Sequence, residues 1–413
     1  MRRQFKAEAG FTLLEVMVAA ALGVVVLTTG LVVGTQLQRR SLFEEQTMMA
    51  QTTGRALQER LSADISRAGN GMGNTPISFS DTDQRFAVQV YSDLSADTEL
   101  TSGDYAAPPA GAPVSDALRL YWGRTRDLVF LDTCSGGSTV VRNGANEFCL
   151  APDSSAGMKP ATGQPATMAV LVNGDQGENV SGNSILPVSC LLRVSNVQPD
   201  AATKKLTGNV GSGVGTLTNL CTNNLDVRWQ LSNWIAMALE GVTYRVNWKG
   251  GFPTLEARPY GATDWQVVSR DVEQLKIRQA VINLTTPSDE YRWFPETNPL
   301  LASPSRPALD TCTAAQNPGV CTVEQRAGEM LSSAPNANEA LRMRLRKRVR
   351  ELEITLVVRT RRLDREAVAA GVDENNHPRD GYKRRTITFR VAPRSFGMTG
   401  LQVLEPVPTG TGT

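Results

Sequence analysis

Few side chains in this 413-residue chain are of the kinds that carry out chemistry. It has one histidine, His377, in the polar stretch DENNHPRDG. Triads and multi-histidine metal sites need more than one such residue, or one held beside partners, so His377 reads as a solvated loop residue. The six cysteines, Cys134, Cys149, Cys190, Cys221, Cys312 and Cys321, contain no C-x-x-C pair. Disulfides and zinc ligation are the two chemistries open to them, and missing ligand spacing with a remote histidine favours disulfides. There is no G-x-S-x-G, H-E-x-x-H or Walker loop. Gly69-x-Gly71-x-Gly73 has the wrong spacing for a dinucleotide fingerprint and no strand before it. Asp81-Thr82-Asp83 and Asn173-Gly174-Asp175 could offer oxygen ligands to calcium but read more simply as turns. The dense basic run Arg342, Arg344, Arg346, Lys347, Arg348 and Arg350, with Arg359, Arg361 and Arg362, could form a phosphate-binding stripe. Interleaved Leu341, Met343, Leu345 and Val349 argue instead for a packed element whose charges meet acids on the same or a neighbouring subunit. With 43 Lys+Arg against 41 Asp+Glu and a net charge of +2, no global field favours nucleic acid. The expectation is a non-enzyme with no cofactor, no metal and no nucleic-acid partner. Carboxylates paired by the fold are the catalytic arrangement left open.

One ionisable residue stands out by its surroundings. From Phe11 to Leu37 the only charge is Glu15, and Val16 to Thr35 is long enough to cross a bilayer as a helix. Arg2, Arg3 and Lys6 precede the run, which places residues 1–10 in the cytoplasm and the remainder outside. A carboxylate at bilayer depth costs about 2.5–3.5 kcal/mol on insertion scales, less near a helix end, and marks a functional site by default. A cleaved secretory signal at Ala19-Ala20-Ala21 fits poorly, because the apolar run continues beyond it. A twin-arginine signal at Arg2-Arg3 lacks a cofactor motif to justify it. A plain anchor leaves Glu15 unexplained.

Gly10-Phe11-Thr12-Leu13-Leu14-Glu15 after a short basic leader resembles the class III signal of type IV pilins and pseudopilins. The resemblance implies cleavage after Gly10 by a prepilin peptidase and N-methylation of the new terminus, Phe11. It also implies that Glu15 pairs with the terminal amine of a neighbouring subunit, neutralising both inside an apolar bundle. A glycine with no side chain, on a flexible leader, suits close approach by a protease.

The elements that would position these residues follow. Past Leu37 no proline interrupts the chain, and Leu57, Leu61, Ile65 and Ala68 keep helical spacing, so one helix is expected from Phe11 to Ala68, stopped at Gly69-Asn70-Gly71. Gly30 and Gly34 form a small-x-x-x-small pair within the span. Beyond Gly73, strand patterns are expected at 86–91, 117–122, 128–132, 168–172, 191–197, 227–231, 236–248, 265–270, 275–282, 352–359 and 386–391. Leu352, Ile354, Leu356 and Val358 alternate against Glu351, Glu353 and Thr355 like a half-buried antiparallel strand. Residues 104–116, 151–166, 296–320 and 404–413 read as loops and a tail. The class is α+β: a long N-terminal helix packed on an antiparallel β-rich domain. The divisions are a leader (1–10), the long helix (11–70, membrane-spanning at about 11–35), a β-rich periplasmic or extracellular body with insertions at about 100–230 (71–398), and a flexible tail (399–413).

LSADISRAGNG, DVEQLKIRQAVI, RELEITLVVRTRR and YKRRTITFRVAPRS resemble, in order, the helix end and later strands of PilW-type minor pilins. That resemblance implies a role in priming or capping a type IV pilus, and through it in adhesion and motility. Its implied partners are the peptidase, other minor pilins, a major pilin and a PilY-type tip adhesin, with the inner membrane before assembly. The alternatives are a type II secretion pseudopilin and, in another class, a membrane-anchored enzyme or ligand-binding domain. Six cysteines allow fifteen pairings, and neighbours in sequence (134 with 149, 190 with 221, 312 with 321) give the favoured set.

Overall fold

A computed structural model describes residues 12–79, 83–134, 140–142, 147–150, 158, 167–173, 177–178, 184–185, 188–199, 206–210, 234–282, 291–296, 306–316, 320–321, 336–361, 363, 368–372 and 378–396. The chain divides into two compact units, residues 1–52 with 360–384, and residues 53–359 with 385–413.

A single 55-residue helix, α1 (Leu13–Arg67), begins the described chain. Leucine, valine, alanine and threonine are its commonest residues and proline is absent, so no missing N–H interrupts its hydrogen-bond ladder over about 80 Å. It ends where expected. Gly69 and Gly71 take φ values of 74° and 77°, which side chains resist. The Gly69 N–H donates to Tyr121 O at 2.9 Å, and the Gly123 N–H to Asn70 O at 2.9 Å. The helix stop is thereby fastened to the sheet below it. Leu57, Leu61, Ile65 and Ala68 are all buried, each leucine or isoleucine contributing about 1.5–3 kcal/mol. Arg60 Nε donates to the Tyr244 hydroxyl at 3.3 Å, and that hydroxyl donates to Asp64.

The strands that matter below are β1 (Val88–Tyr91), β2 (Ala117–Phe130), β3 (Glu147–Leu150), β4 (Thr167–Asn173), β5 (Val188–Pro199), β6 (Leu206–Val210), β7 (Trp234–Asn247), β8 (Thr254–Pro259), β9 (Gln266–Arg270), β10 (Val272–Ile282), β11 (Tyr291–Phe294), β12 (Val349–Arg359) and β13 (Arg384–Val391). A second helix, α2 (Ala337–Lys347), precedes β12. Among the described residues one sheet has twelve strands, running β9–β8–β7–β4–β5–β6–β3 along its main path, with β2 on β7 and β1 on β2. Pairing is antiparallel except where Ile77 and Ser78 lie parallel to Ser189 and Cys190. The second sheet is four-stranded, β11–β10–β12–β13. An α+β architecture with a long leading helix is therefore what the chain adopts. The region read as insertions supplies β2 to β6. Strands expected at 117–122 and 128–132 merge into β2, while 227–231 lies outside the described residues.

The chain passes from one sheet to the other at Asp271, between β9 and β10, with φ of 81°. Its N–H donates to Pro253 O at 2.9 Å and its carbonyl accepts from the Arg359 N–H at 2.9 Å, so hydrogen bonds on both sides hold this unusual backbone. Near the same seam the buried Asp116 accepts from Lys276 Nζ at 2.7 Å and the Ile277 N–H at 2.8 Å.

Gly241, in β7, sits where aromatic rings close over the sheet: Tyr121 contacts Phe79 and Tyr260 with centroids 5.4 Å away from each. A Cβ on Gly241 would stand 2.5 Å from Leu120 O and 2.9 Å from the Tyr121 ring. Backbone cannot yield as a flexible side chain can, so Gly241→Ala should cost about 1–3 kcal/mol, read as an earlier urea midpoint with an unchanged slope.

On the four-stranded sheet, alternation in β12 buries Leu352, Ile354, Leu356 and Val358 on one side. On the other, Glu353 Oε1 accepts from Arg278 at 2.6 Å and Oε2 from Arg390 at 2.9 Å. Both guanidiniums also lie about 5 Å over the Trp293 ring, at 5.0 and 4.9 Å. Burial pushes the Glu353 carboxyl up, but the hydrogen bonds from Arg278 and Arg390 outweigh it and hold it below the usual carboxylate range. A depressed carboxyl stabilises the fold above its ordinary pKa, and that stability goes as pH falls through the depressed value. Glu353→Gln should lose about 1–3 kcal/mol at neutral pH and flatten the acid limb of the stability profile below pH about 4.5. Urea titrations at several pH values check both.

Candidate functional site

Gly10 and Phe11 lie outside the described residues; Thr12 and Glu15 do not. The Thr12 N–H and hydroxyl donate to Glu15 Oε2 at 3.0 and 3.1 Å, and the Glu15 N–H donates to Thr12 Oγ1 at 3.3 Å. This is a reciprocal capping box at the first turn of α1. The carboxylate also sits at the N-terminal, positive end of the helix dipole. Thr-x-x-Glu directly before an apolar run was the signal for Thr12, and reading Glu15 only as an intersubunit ligand passed over it.

Among the described residues nothing covers the helix from Leu13 to Leu42. Leu13, Leu27 and Leu31 are 82%, 69% and 68% exposed, and among the described residues α1 is one helix long and apolar enough to cross a membrane. Its polar groups are concealed. The Thr28, Thr29 and Thr35 hydroxyls donate to the carbonyls of Val24, Val25 and Val32 at 2.8, 2.7 and 2.9 Å, the back-bonding that hydroxyls adopt where water is absent. Gly23, Gly30 and Gly34 have nothing within 4 Å of where a Cβ would stand, so their faces are open to another helix.

With this geometry, residues 5–31 match the model of the prokaryotic N-terminal methylation motif. That supports a type IV pilin-like precursor. No curated protein and no solved structure matches the chain. The pilin-like motif implies processing by a prepilin peptidase and assembly with other pilins, and together with the apolar helix it suits an inner-membrane-anchored pilin.

The other candidate residues separate. Cys134 is bonded to Cys149, and Cys312 to Cys321, with Cα atoms 5.2 and 6.0 Å apart. Cys190 is also disulfide-bonded, and Cys221 lies outside the described residues. Loops this short stabilise by about 2–4 kcal/mol when closed. His377, Asp81, Thr82, Gly174 and Asp175 also lie outside them, while Asp83 holds Arg85 at 2.7 Å. Among the described residues no group of three or more His, Cys, Asp or Glu is placed to hold a metal.

The basic run folds as α2 and the start of β12. Asn336 caps the helix, its Oδ1 accepting from the Glu339 N–H at 2.9 Å. Arg342 donates to Cys312 O at 2.8 Å and faces Glu339 at 3.7 Å. Arg346 pairs with Glu339 as well. Arg350 bonds the carbonyls of Lys347 and Val349, Arg348 is buried, and Arg359 stacks on Trp248 at 5.3 Å. Leu341, Met343 and Leu345 are buried between them. Much of the run is spent inside the fold.

Proposed function

We propose that this chain is a PilW-type minor pilin, a structural rather than catalytic protein that joins a priming or tip complex of a type IV pilus. The observation that carries the reading is the methylation motif over residues 5–31, which contains Gly10, Phe11 and Glu15, with Glu15 in the first turn of an uninterrupted 55-residue helix. The leader faces the cytoplasm and the β-rich body the periplasm or exterior. Once the peptidase has cut after Gly10, the methylated Phe11 amine of one subunit and Glu15 of a neighbour form the pair that sets subunits in register. Other minor pilins, a major pilin and a PilY-type adhesin are the partners of this reading.

Sheared fibres from cells carrying an epitope-tagged copy test it. Immunogold label at fibre ends, in amounts far below the major subunit, is the expected result. Label along the whole fibre, or none after shearing, defeats it. Loss of protein secretion with pili intact on deletion would assign the chain to a type II secretion pseudopilus instead.

A further inference from the structure

The β-rich unit contains a cleft of about 500 Å³ between the segment around residues 83–98 and helix α2, within the size range of small-molecule sites. Three guanidiniums line it, Arg85, Arg119 and Arg346, each paired with a carboxylate of the lining: Asp83 at 2.7 Å, Asp97 at 2.9 Å, and Glu339. Just outside the lining, Glu99 also pairs with Arg119 at 3.0 Å and Arg342 faces Glu339 at 3.7 Å. The six charges of the lining itself cancel.

They are not equally accessible. The Arg85, Arg119 and Arg346 side chains are 16%, 2% and 13% exposed, whereas those of Asp83, Asp97 and Glu339 are 41%, 19% and 25% exposed. Cations therefore form the backing and carboxylate oxygens the front. A carboxylate has about four lone-pair positions; Asp97 gives one to Arg119 and one to the Glu99 N–H at 2.8 Å, and Glu339 gives one to Arg346 with Arg342 3.7 Å away, which leaves both able to accept more. An anion entering the cleft would meet these oxygens first and be repelled. A cation would find them already neutralised from behind, with no net field to repay its desolvation. A neutral hydroxyl avoids both penalties, because it donates to an arginine-backed carboxylate without separating the ion pair. Gln84 and Asn336, also on the lining, add amide groups able both to donate and to accept.

We infer that this cleft binds a neutral, polyhydroxylated ligand, a saccharide of one or two rings, through hydroxyl donors to Asp97 and Glu339. The inference is independent of pilus assembly and holds whichever fibre the chain enters.

The test uses the full chain in a detergent without a sugar headgroup, probed by saturation-transfer NMR with maltose, lactose and N,N′-diacetylchitobiose, and with sodium glutamate as the charged comparison. At least one disaccharide should bind saturably with Kd of about 1 mM or tighter. Thr98→Trp, at an exposed position on the lining, should weaken it at least tenfold by filling the cleft, while Thr98→Ala keeps it. Circular dichroism confirms folding, and Gln84→Trp replaces Thr98→Trp if that variant does not fold. No saturable signal from any of the three sugars overturns the inference. So does a signal that the tryptophan variant leaves unchanged, or tighter binding of glutamate than of every sugar.

Discussion

Replacing Gly10 by valine should leave the chain at its precursor mass in cells where the native chain loses residues 1–10 and gains one methyl group on Phe11. The reason is steric. On the proposed reading the bond to be cut lies between a residue with no side chain and a bulky aromatic, and a β-branched residue at Gly10 keeps the peptide from the reacting groups. A misplacement of about 1 Å can cost roughly a hundredfold in rate, so processed chain should fall from nearly all to a trace. Intact-mass spectrometry of membrane extracts reads both species. A native chain that still begins at Met1, or one cut near Ala21, removes the pilin-like reading altogether.

The second large effect is at Glu15. In an apolar bundle, removing one member of a buried ion pair leaves its partner charged and unpaired, at about 3–5 kcal/mol, or more than a hundredfold in the fraction of chain recovered in fibres. Glu15→Ala should therefore insert in the membrane at least as well as the native chain and be nearly absent from sheared pili. Alanine alone does not isolate the cause, because it also breaks the Thr12 capping box seen in the structure. Glu15→Gln separates the two roles. Glutamine still serves at the third position of a capping box but carries no charge, so under the pairing mechanism it should fail as alanine does. If Glu15→Gln enters fibres normally, the acid works within its own chain as a cap.

The elements legible in the sequence were those with long, uniform patterns. The apolar run, the heptad-like quartet Leu57, Leu61, Ile65 and Ala68, and the glycine stop defined α1 because local spacing and burial agree there. In β2 they disagree. Gly123, Arg124, Arg126 and Asp127 look like a break, yet the strand runs through them because Glu240 on the neighbouring β7 accepts from Trp122 and Arg124, both at 3.1 Å. That partner is more than a hundred residues away. Helix α2 was obscured for the opposite reason: Leu341, Met343 and Leu345 alternate with arginines at a strand's period, and only the Asn336 and Glu339 capping signal marks a helix. The cleft was invisible for the same reason as the continuity of β2, since Arg119 and Arg346 come to line one cleft only through the fold.

The threonines of the apolar segment bear on how such a subunit changes surroundings. Because each hydroxyl is already answered by a carbonyl one turn back, the rod presents almost the same oily exterior to acyl chains as to sister rods. Moving between those two solvents should then be nearly isoenergetic along most of its length. Departure from the lipid has little penalty and little reward of its own, and the direction of travel is left to whatever acts at the rod's charged tip or pushes on it from below.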